Sequence, residues 1–214
     1  MKKLKFTLAI LICLSIFLNF DISLKTKKLN SNTQKPNSSV AYFASGCFWC
    51  VEAIFESVKG VDEVVSGYAG GFVKNPSYKK IGTGTTGHAE TVAVYYNAKK
   101  IDFQTLVNVF FGSHDPTTVN GQHPDYGTQY RSIAFYQNSE QKKIIQNTID
   151  KLNKQLYNGK IATEVSEFSK FYKAEEYHQN YKLLNPEDPY VKNVSNPRLN
   201  KFKKKFPHLL KKNN

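Results

Sequence analysis

The chain runs to 214 residues, room for one domain of ordinary size with appendages, and its 40% hydrophobic and 14% aromatic content excludes disorder over most of its length. The formal charge of +13 sits at the two ends: residues 1–28 hold six lysines against one acid, residues 192–214 hold eight basic residues and no acid, and residues 29–191 balance at sixteen of each sign. A neutral body with basic ends does not form the one-sided cationic surface that phosphate backbones need, so no nucleic-acid partner is expected.

Met1-Lys2-Lys3-Leu4-Lys5 is a positive start, and Phe6 to Phe20 is almost purely apolar. That length suits the h-region of a signal peptide and is short for a spanning helix. Residues 1–20 therefore read as a signal peptide or membrane anchor, and the protein is expected to be exported, in a periplasm or cell envelope. Cys13 lies inside this run and reads as an apolar filler. Residues 21–39, rich in Lys, Asn and Ser, read as a flexible linker.

A folded domain is expected over 40–214. Val40 to Ala44 reads as a buried strand broken by Gly46. Val51, Ile54, Phe55 and Val58 recur at helical spacing, and Lys59-Gly60 closes that helix. Val61 to Tyr68 is a second strand, Ala69 to Gly87 a glycine-bearing loop, Glu90 to Tyr96 an alternating strand and Phe103 to Phe111 an apolar helix. Gly112 to Gln129 reads as a long turn-rich loop and Arg131 to Tyr136 as a strand. The order β-α-β-β-α-β predicts an α+β two-layer sandwich with a ferredoxin-like core, extended loops and added C-terminal helices. Those additions are a helix from Ser139 burying Ile144, Ile145, Ile149, Leu152 and Leu156, an added strand within Ile161–Phe168, a helix over Ala174–Leu184, and a docking helix carrying Leu199, Phe202 and Phe206.

Gly46-Cys47-Phe48-Trp49-Cys50 holds two of the three cysteines and the only tryptophan. Two thiols three positions apart on a helix face the same side and can close into one disulfide, a two-electron switch. Cys47 stands where strand gives way to helix, and free N–H groups and the positive dipole end there favour thiolate, so Cys47 is the expected nucleophile. The rings of Phe48 and Trp49 offer an apolar wall beside it. One C-x-x-C supplies two zinc ligands and nothing completes the set, so no metal is expected. Glu90 shares strand parity with Val92, Val94 and Tyr96, which makes it either a half-buried carboxyl with a raised pKa or a solvated acid before the strand; spacing alone leaves both open. His123, Asp125, Tyr126, Gln129 and Tyr130 crowd one loop, where Asp-Pro, Asn-Gly and His-Pro pairs account for them as turn chemistry.

Taken together, these segments resemble the peptide methionine sulfoxide reductase A family, specific for the S epimer of the sulfoxide. The resemblance spans 40–206. It rests on Gly46-Cys47-Phe48-Trp49, Gly67-Tyr68-Ala69-Gly70-Gly71 with Asn75-Pro76-Ser77-Tyr78, Thr86-Gly87-His88-Ala89-Glu90, His114-Asp115-Pro116, Asp125 to Ser132, and Ala174-Glu175-Glu176-Tyr177-His178-Gln179. It implies roles: Cys47 as attacking thiolate, Phe48 and Trp49 as the pocket for the substrate methyl, Glu90 as proton donor, Tyr78 and Tyr130 as hydrogen-bond donors, Asp125 and His178 as supporting members of the site. It implies no bound cofactor, thioredoxin or a thioredoxin-like protein as external reductant, methionine sulfoxide in proteins and peptides as substrate, and a monomer. Many relatives have glycine where Cys50 stands and recycling cysteines near the C-terminus. This chain has no cysteine after Cys50, which makes Cys50 the expected resolving cysteine. Two other readings compete: a thioredoxin-like disulfide oxidoreductase, which wants its tryptophan before the first cysteine, and a non-catalytic basic adaptor acting through its tail.

Overall fold

The computed structural model describes residues 38–212, so the expected leader and nearly all of the expected linker lie outside the described residues. Among the described residues no helix is long and apolar enough to cross a membrane. Strand β1 (Ser38–Ser45) begins two residues before the expected domain edge. It is followed by α1 (Phe48–Glu56), β2 (Val61–Ala69), the short α2 (Tyr78–Ile81), β3 (Ala89–Asn97) and α3 (Phe103–Gly112). A two-stranded hairpin, β4 (Gly121–Gln122) and β5 (Asp125–Tyr126), precedes β6 (Ser132–Tyr136) and α4 (Ser139–Leu152). Two edge strands, β7 (Glu164–Glu167) and β8 (Phe171–Lys173), and the helices α5 (Tyr181–Leu184) and α6 (Asn196–Lys205) complete the order.

The sheet runs β7-β6-β1-β3-β2-β8. Its inner four, β6-β1-β3-β2, pair antiparallel throughout, which is the split βαβ arrangement expected from the element order. β7 joins β6 in parallel and β8 joins β2 antiparallel, so both edges of the core are covered. Alternation along the strands separates two apolar faces. Phe43, Val92, Val94 and Ala134 face α1, α3 and α4 in the main core with Phe55, Leu106, Phe110 and Ile145. Ala44, Ala69, Ala89, Ile133 and Phe135 make a smaller cluster on the other face, covered by Tyr42, Phe168 and Phe171.

Local chemistry explains the helix starts. Asp102 accepts a hydrogen bond from the Thr105 backbone N–H at 2.7 Å and so caps α3. Asn138 accepts from the Gln141 N–H at 2.9 Å while Gln141 accepts from the Gln137 N–H at 2.8 Å, a reciprocal cap on α4.

Three expectations need correction. The helix from Ser139 ends at Leu152 and widens into a π-helical turn over Asn153–Tyr157, which swings Leu156 into solvent at 66% exposure. Ala174–Leu184 is not one helix: it is strand-adjacent chain, a single 3-10 turn (Glu176–His178) and α5, interrupted by Asn180 at φ +54°. Strand β8 was not foreseen, because its three residues are too few to show alternation. The tail helix does dock: Leu199 and Phe202 are buried, although Phe206 falls just past its end.

Candidate active site

The glycine before the first cysteine is required twice over. Gly46 sits at φ +86°, and a Cβ there would come within 2.7 Å of the Gln122 Cβ. The turn it permits sets Cys47 at the N-cap of α1, where its carbonyl accepts from the Cys50 and Val51 N–H groups at 3.1 and 3.3 Å. Phe48, Trp49 and Cys50 then occupy the first turn, with Cys47, Phe48 and Cys50 buried and Trp49 partly exposed. Both thiols are free.

Glu90 resolves in favour of burial. It lies on the helix-facing side of β3, is 2% exposed, and accepts a hydrogen bond from the Phe48 N–H at 3.0 Å. That bond places the carboxyl against the residue next to Cys47. Burial pushes its pKa up to about 8 despite the backbone donor, with Asp125 adding to the rise, so the carboxyl is neutral at pH 7. Tyr78 and Tyr130 are half-buried phenols in the field of Glu90 and Cys47. Burial, then Glu90, raises Tyr78 to about 12 and moves Tyr130 the same way, so both keep their protons for donation.

The loop residues divide. β4 and β5 pair Gln122 with Asp125 and present Asp125 to the site, where it accepts from the Tyr190 hydroxyl at 2.5 Å. His123 and Tyr126, crowded beside it in sequence, are exposed. Gln129, of the same cluster, is buried.

His178 closes the aromatic wall. Its Nδ1 accepts from Trp49 Nε1 at 3.1 Å, and its ring lies 4.3 Å from Tyr78 and 5.0 Å from Phe48 between centroids. Burial lowers its pKa, so the ring is neutral and its proton sits on Nε2, a buried nitrogen without a hydrogen-bond partner among the described residues. Trp49 is held from its other side by Tyr181, stacked at 3.7 Å and 8°.

The cysteines depart from expectation in their charge. Burial, the hydrogen bond with Cys50 and the nearby Glu90 all push the Cys47 thiol up, against the helix N-terminus that was expected to hold it as thiolate. Cys50 moves the opposite way, lowered by its hydrogen bond with Cys47 and by Arg198, Ser195 and Tyr190. The two thiols titrate as a pair, and their surroundings favour the anion on the Cys50 side.

Four partners escaped sequence reasoning. Tyr190, Ser195 and Arg198 come from the tail and surround Cys50; a lysine-rich stretch hid them. The fourth, Glu175, stood in a motif but had no evident task. It accepts from the Tyr68 hydroxyl at 2.8 Å and from the Tyr78 N–H at 2.9 Å, and so positions Tyr78. Other motif residues prove to be scaffold. His88 ties the glycine-rich loop to β3, accepting from the Gly71 N–H at 3.0 Å and contacting the Val73 carbonyl at 2.8 Å. Half-buried His114 bridges the Phe110 carbonyl and the Ser132 hydroxyl. Among the described residues no group of His, Cys, Asp or Glu is placed to hold a metal ion. A groove of about 700 Å³ runs along α6, lined by His114, Gln122, Arg198, Lys201 and Lys205, and neither cysteine lines it.

Comparison with known proteins agrees with this geometry. The family model described as peptide methionine sulfoxide reductase matches residues 39–210. A peptide methionine sulfoxide reductase MsrA 1 of Rhodopirellula baltica is 47% identical over 177 residues, 83% of this chain and 92% of that protein. The reduced form of Mxr1 from Saccharomyces cerevisiae superposes with a TM-score of 0.67 at 36% identity, over 71% of this chain and 88% of that one. Mxr1 in complex with Trx2 superposes with a TM-score of 0.50 at 27% identity, over 69% of this chain and 86% of that one.

Proposed function

The chain belongs to the peptide methionine sulfoxide reductase family and reduces methionine sulfoxide by thiol chemistry; within that reaction we propose that Cys47 attacks, Glu90 gives the proton and Cys50 resolves. The observation that carries this assignment is the Phe48 N–H···Glu90 bond, which sets a buried neutral carboxyl beside the residue that bears the attacking sulfur.

Attack of the Cys47 sulfur on the sulfoxide sulfur pushes electron density onto the sulfoxide oxygen. Tyr78 and Tyr130 donate to that oxygen as charge develops, and Glu90 delivers a proton to it, the logic of an oxyanion hole with an acid at its centre. The hydroxyl passes from the substrate sulfur to the Cys47 sulfur as the substrate S–O bond and the new bond between the two sulfurs both break, so methionine departs as a thioether and Cys47 is left as a sulfenic acid. Phe48 and Trp49 enclose the methyl group, and the free Nε2–H of His178 is a donor for the substrate's peptide group. Cys50 then attacks the Cys47 sulfur: an S–S bond forms, the S–O bond of the sulfenic acid breaks, and water leaves with protons from the site. An external dithiol reopens the bridge, and the Mxr1 complex with Trx2 supports a thioredoxin-type reductant. Because residues 1–20 read as an export signal, the reductant for this chain is a thioredoxin-like protein of the same compartment. Cell fractionation with antibody detection checks the compartment.

Replacing Cys50 with serine tests the assignment. The variant should release one methionine per enzyme and then stall with thioredoxin as reductant. Full multiple turnover by Cys50→Ser would refute the resolving role.

A further inference from the structure

The second sulfur has a dedicated hydroxyl. Ser195 closes a π-helical turn (Val191–Ser195) that runs straight into α6, and it is 1% exposed. A serine at such a junction commonly bonds back to its own helix. Here it makes no capping bond, and its Oγ lies 3.0 Å from Cys50 Sγ. The neighbouring Tyr190 hydroxyl donates to Asp125 and stands 4.0 Å from Cys50 Sγ, so the Ser195 hydroxyl is the closer of the two to that sulfur. Arg198, one helical turn beyond Ser195, donates from Nε to the Ser113 carbonyl at 2.9 Å and from Nη2 to the Ser45 carbonyl at 2.8 Å. Those two bonds pin the start of α6 to the end of α3 and to the end of β1, next to Gly46.

We propose that Ser195 is a positioning residue for the resolving step: its hydroxyl donates to Cys50 Sγ, and the Arg198 clamp holds it there, so that Cys50 is presented as an anion to the oxidised Cys47. The inference rests on Cys50 being the resolving cysteine. It places the control of resolution in the C-terminal segment, in a chain that has no cysteine there. The step it governs is balanced as written above: Cys50 loses its electron pair to the new S–S bond, and the hydroxyl of the sulfenic acid leaves as water. Hydrogen bonds to an ion are roughly twice as strong as those between neutral groups, so the donor favours the thiolate selectively.

Enzyme given one equivalent of a methionine sulfoxide peptide without reductant, quenched at intervals and weighed by mass spectrometry, reads bridge formation directly. In Ser195→Ala the pH midpoint of bridge formation should lie about one unit higher, so that at pH values below both midpoints the bridge forms about tenfold more slowly. Ser195→Thr, which restores the hydroxyl, should recover both. An independent reading removes the attacking sulfur from the comparison: alkylation of Cys50 against pH should show a midpoint about one unit higher in Cys47→Ser/Ser195→Ala than in Cys47→Ser. Parent rates and midpoint in Ser195→Ala, or equal Cys50 midpoints in the two alkylated variants, overturn the proposal. A Cys50→Ser enzyme that cycles fully instead overturns the resolving role beneath it, so the two failures are distinct.

Discussion

Glu90 shows how one position carries both function and cost. In the proposed role its carboxyl must be protonated, and burial supplies that by raising its pKa to about 8. The rate of methionine release in a single turnover should therefore fall as pH rises through about 8. Glu90→Gln should remove that descending limb and lower the rate by about 100-fold or more, the usual worth of a positioned acid. Stopped-flow measurement across pH checks both. Gly46 is the other position with no substitute. Gly46→Ala meets a positive φ and the Gln122 side chain together, and it should cost about 1–3 kcal/mol in denaturant titration and displace Cys47. The bulky pair Phe48 and Trp49, the two cysteines and the acid were all legible as unusual residues in place. What could not be read was which sulfur holds the charge. That depends on Tyr190, Ser195 and Arg198, about 140 residues further along the chain, which gather around Cys50.

At the scale of elements, the segment Ala174–Asn180 replaces regular structure with side-chain bonds. Gln179 accepts from the Ser66 N–H at 3.0 Å and donates to the carbonyls of Ser66 at 3.0 Å and Ala174 at 3.1 Å, acting as a short substitute for a strand neighbour of β2. Glu52 on α1 accepts from the Asn180 N–H at 2.5 Å and from the Ser66 hydroxyl. These bonds set His178 and Tyr181 against Trp49. Gln179→Ala should cost about 2–4 kcal/mol, the sum of lost bonds at about 1 kcal/mol each plus stranded backbone groups of Ser66. Urea denaturation checks the cost, and a raised KM should report the loosened wall. A helix over Ala174–Leu184 was the natural expectation from composition. It fails because Gln179 and Glu52 draw the backbone out and Asn180 takes the left-handed conformation. The core strands, by contrast, form where their apolar runs predict them, with one register shift between Val61 and Glu63 of β2.

For the whole molecule, two buried carboxyls oppose stability as pH rises. Glu52 is pushed up to about 7 and Glu90 to about 8, mainly by burial. A carboxyl whose folded pKa is raised favours the folded state most at low pH, below the unfolded value of about 4.3, and loses that advantage as pH climbs to the folded value. These two therefore remove stability between about pH 4 and 8, and Glu90→Gln should melt at a higher temperature than the parent by an increasing margin across that window. Calorimetry from pH 5 to 9 checks the trend. A flat difference would mean that Glu90 is solvated. The basic tail likewise changes meaning at this scale: α6 buries Leu199 and Phe202 while its lysines stay exposed, so it is a wall of the site with a solvated outer face.

The amino-acid sequence by itself determined the α+β core and the family, because the core is written in local periodicity and the family in contiguous motifs. The tertiary structure alone decided the burial of Glu90, the charge on Cys50 and the part played by the C-terminal helix. Burial and electrostatic interaction depend on distance in space, and residues far apart in sequence meet only when the sheet and its helices close around them.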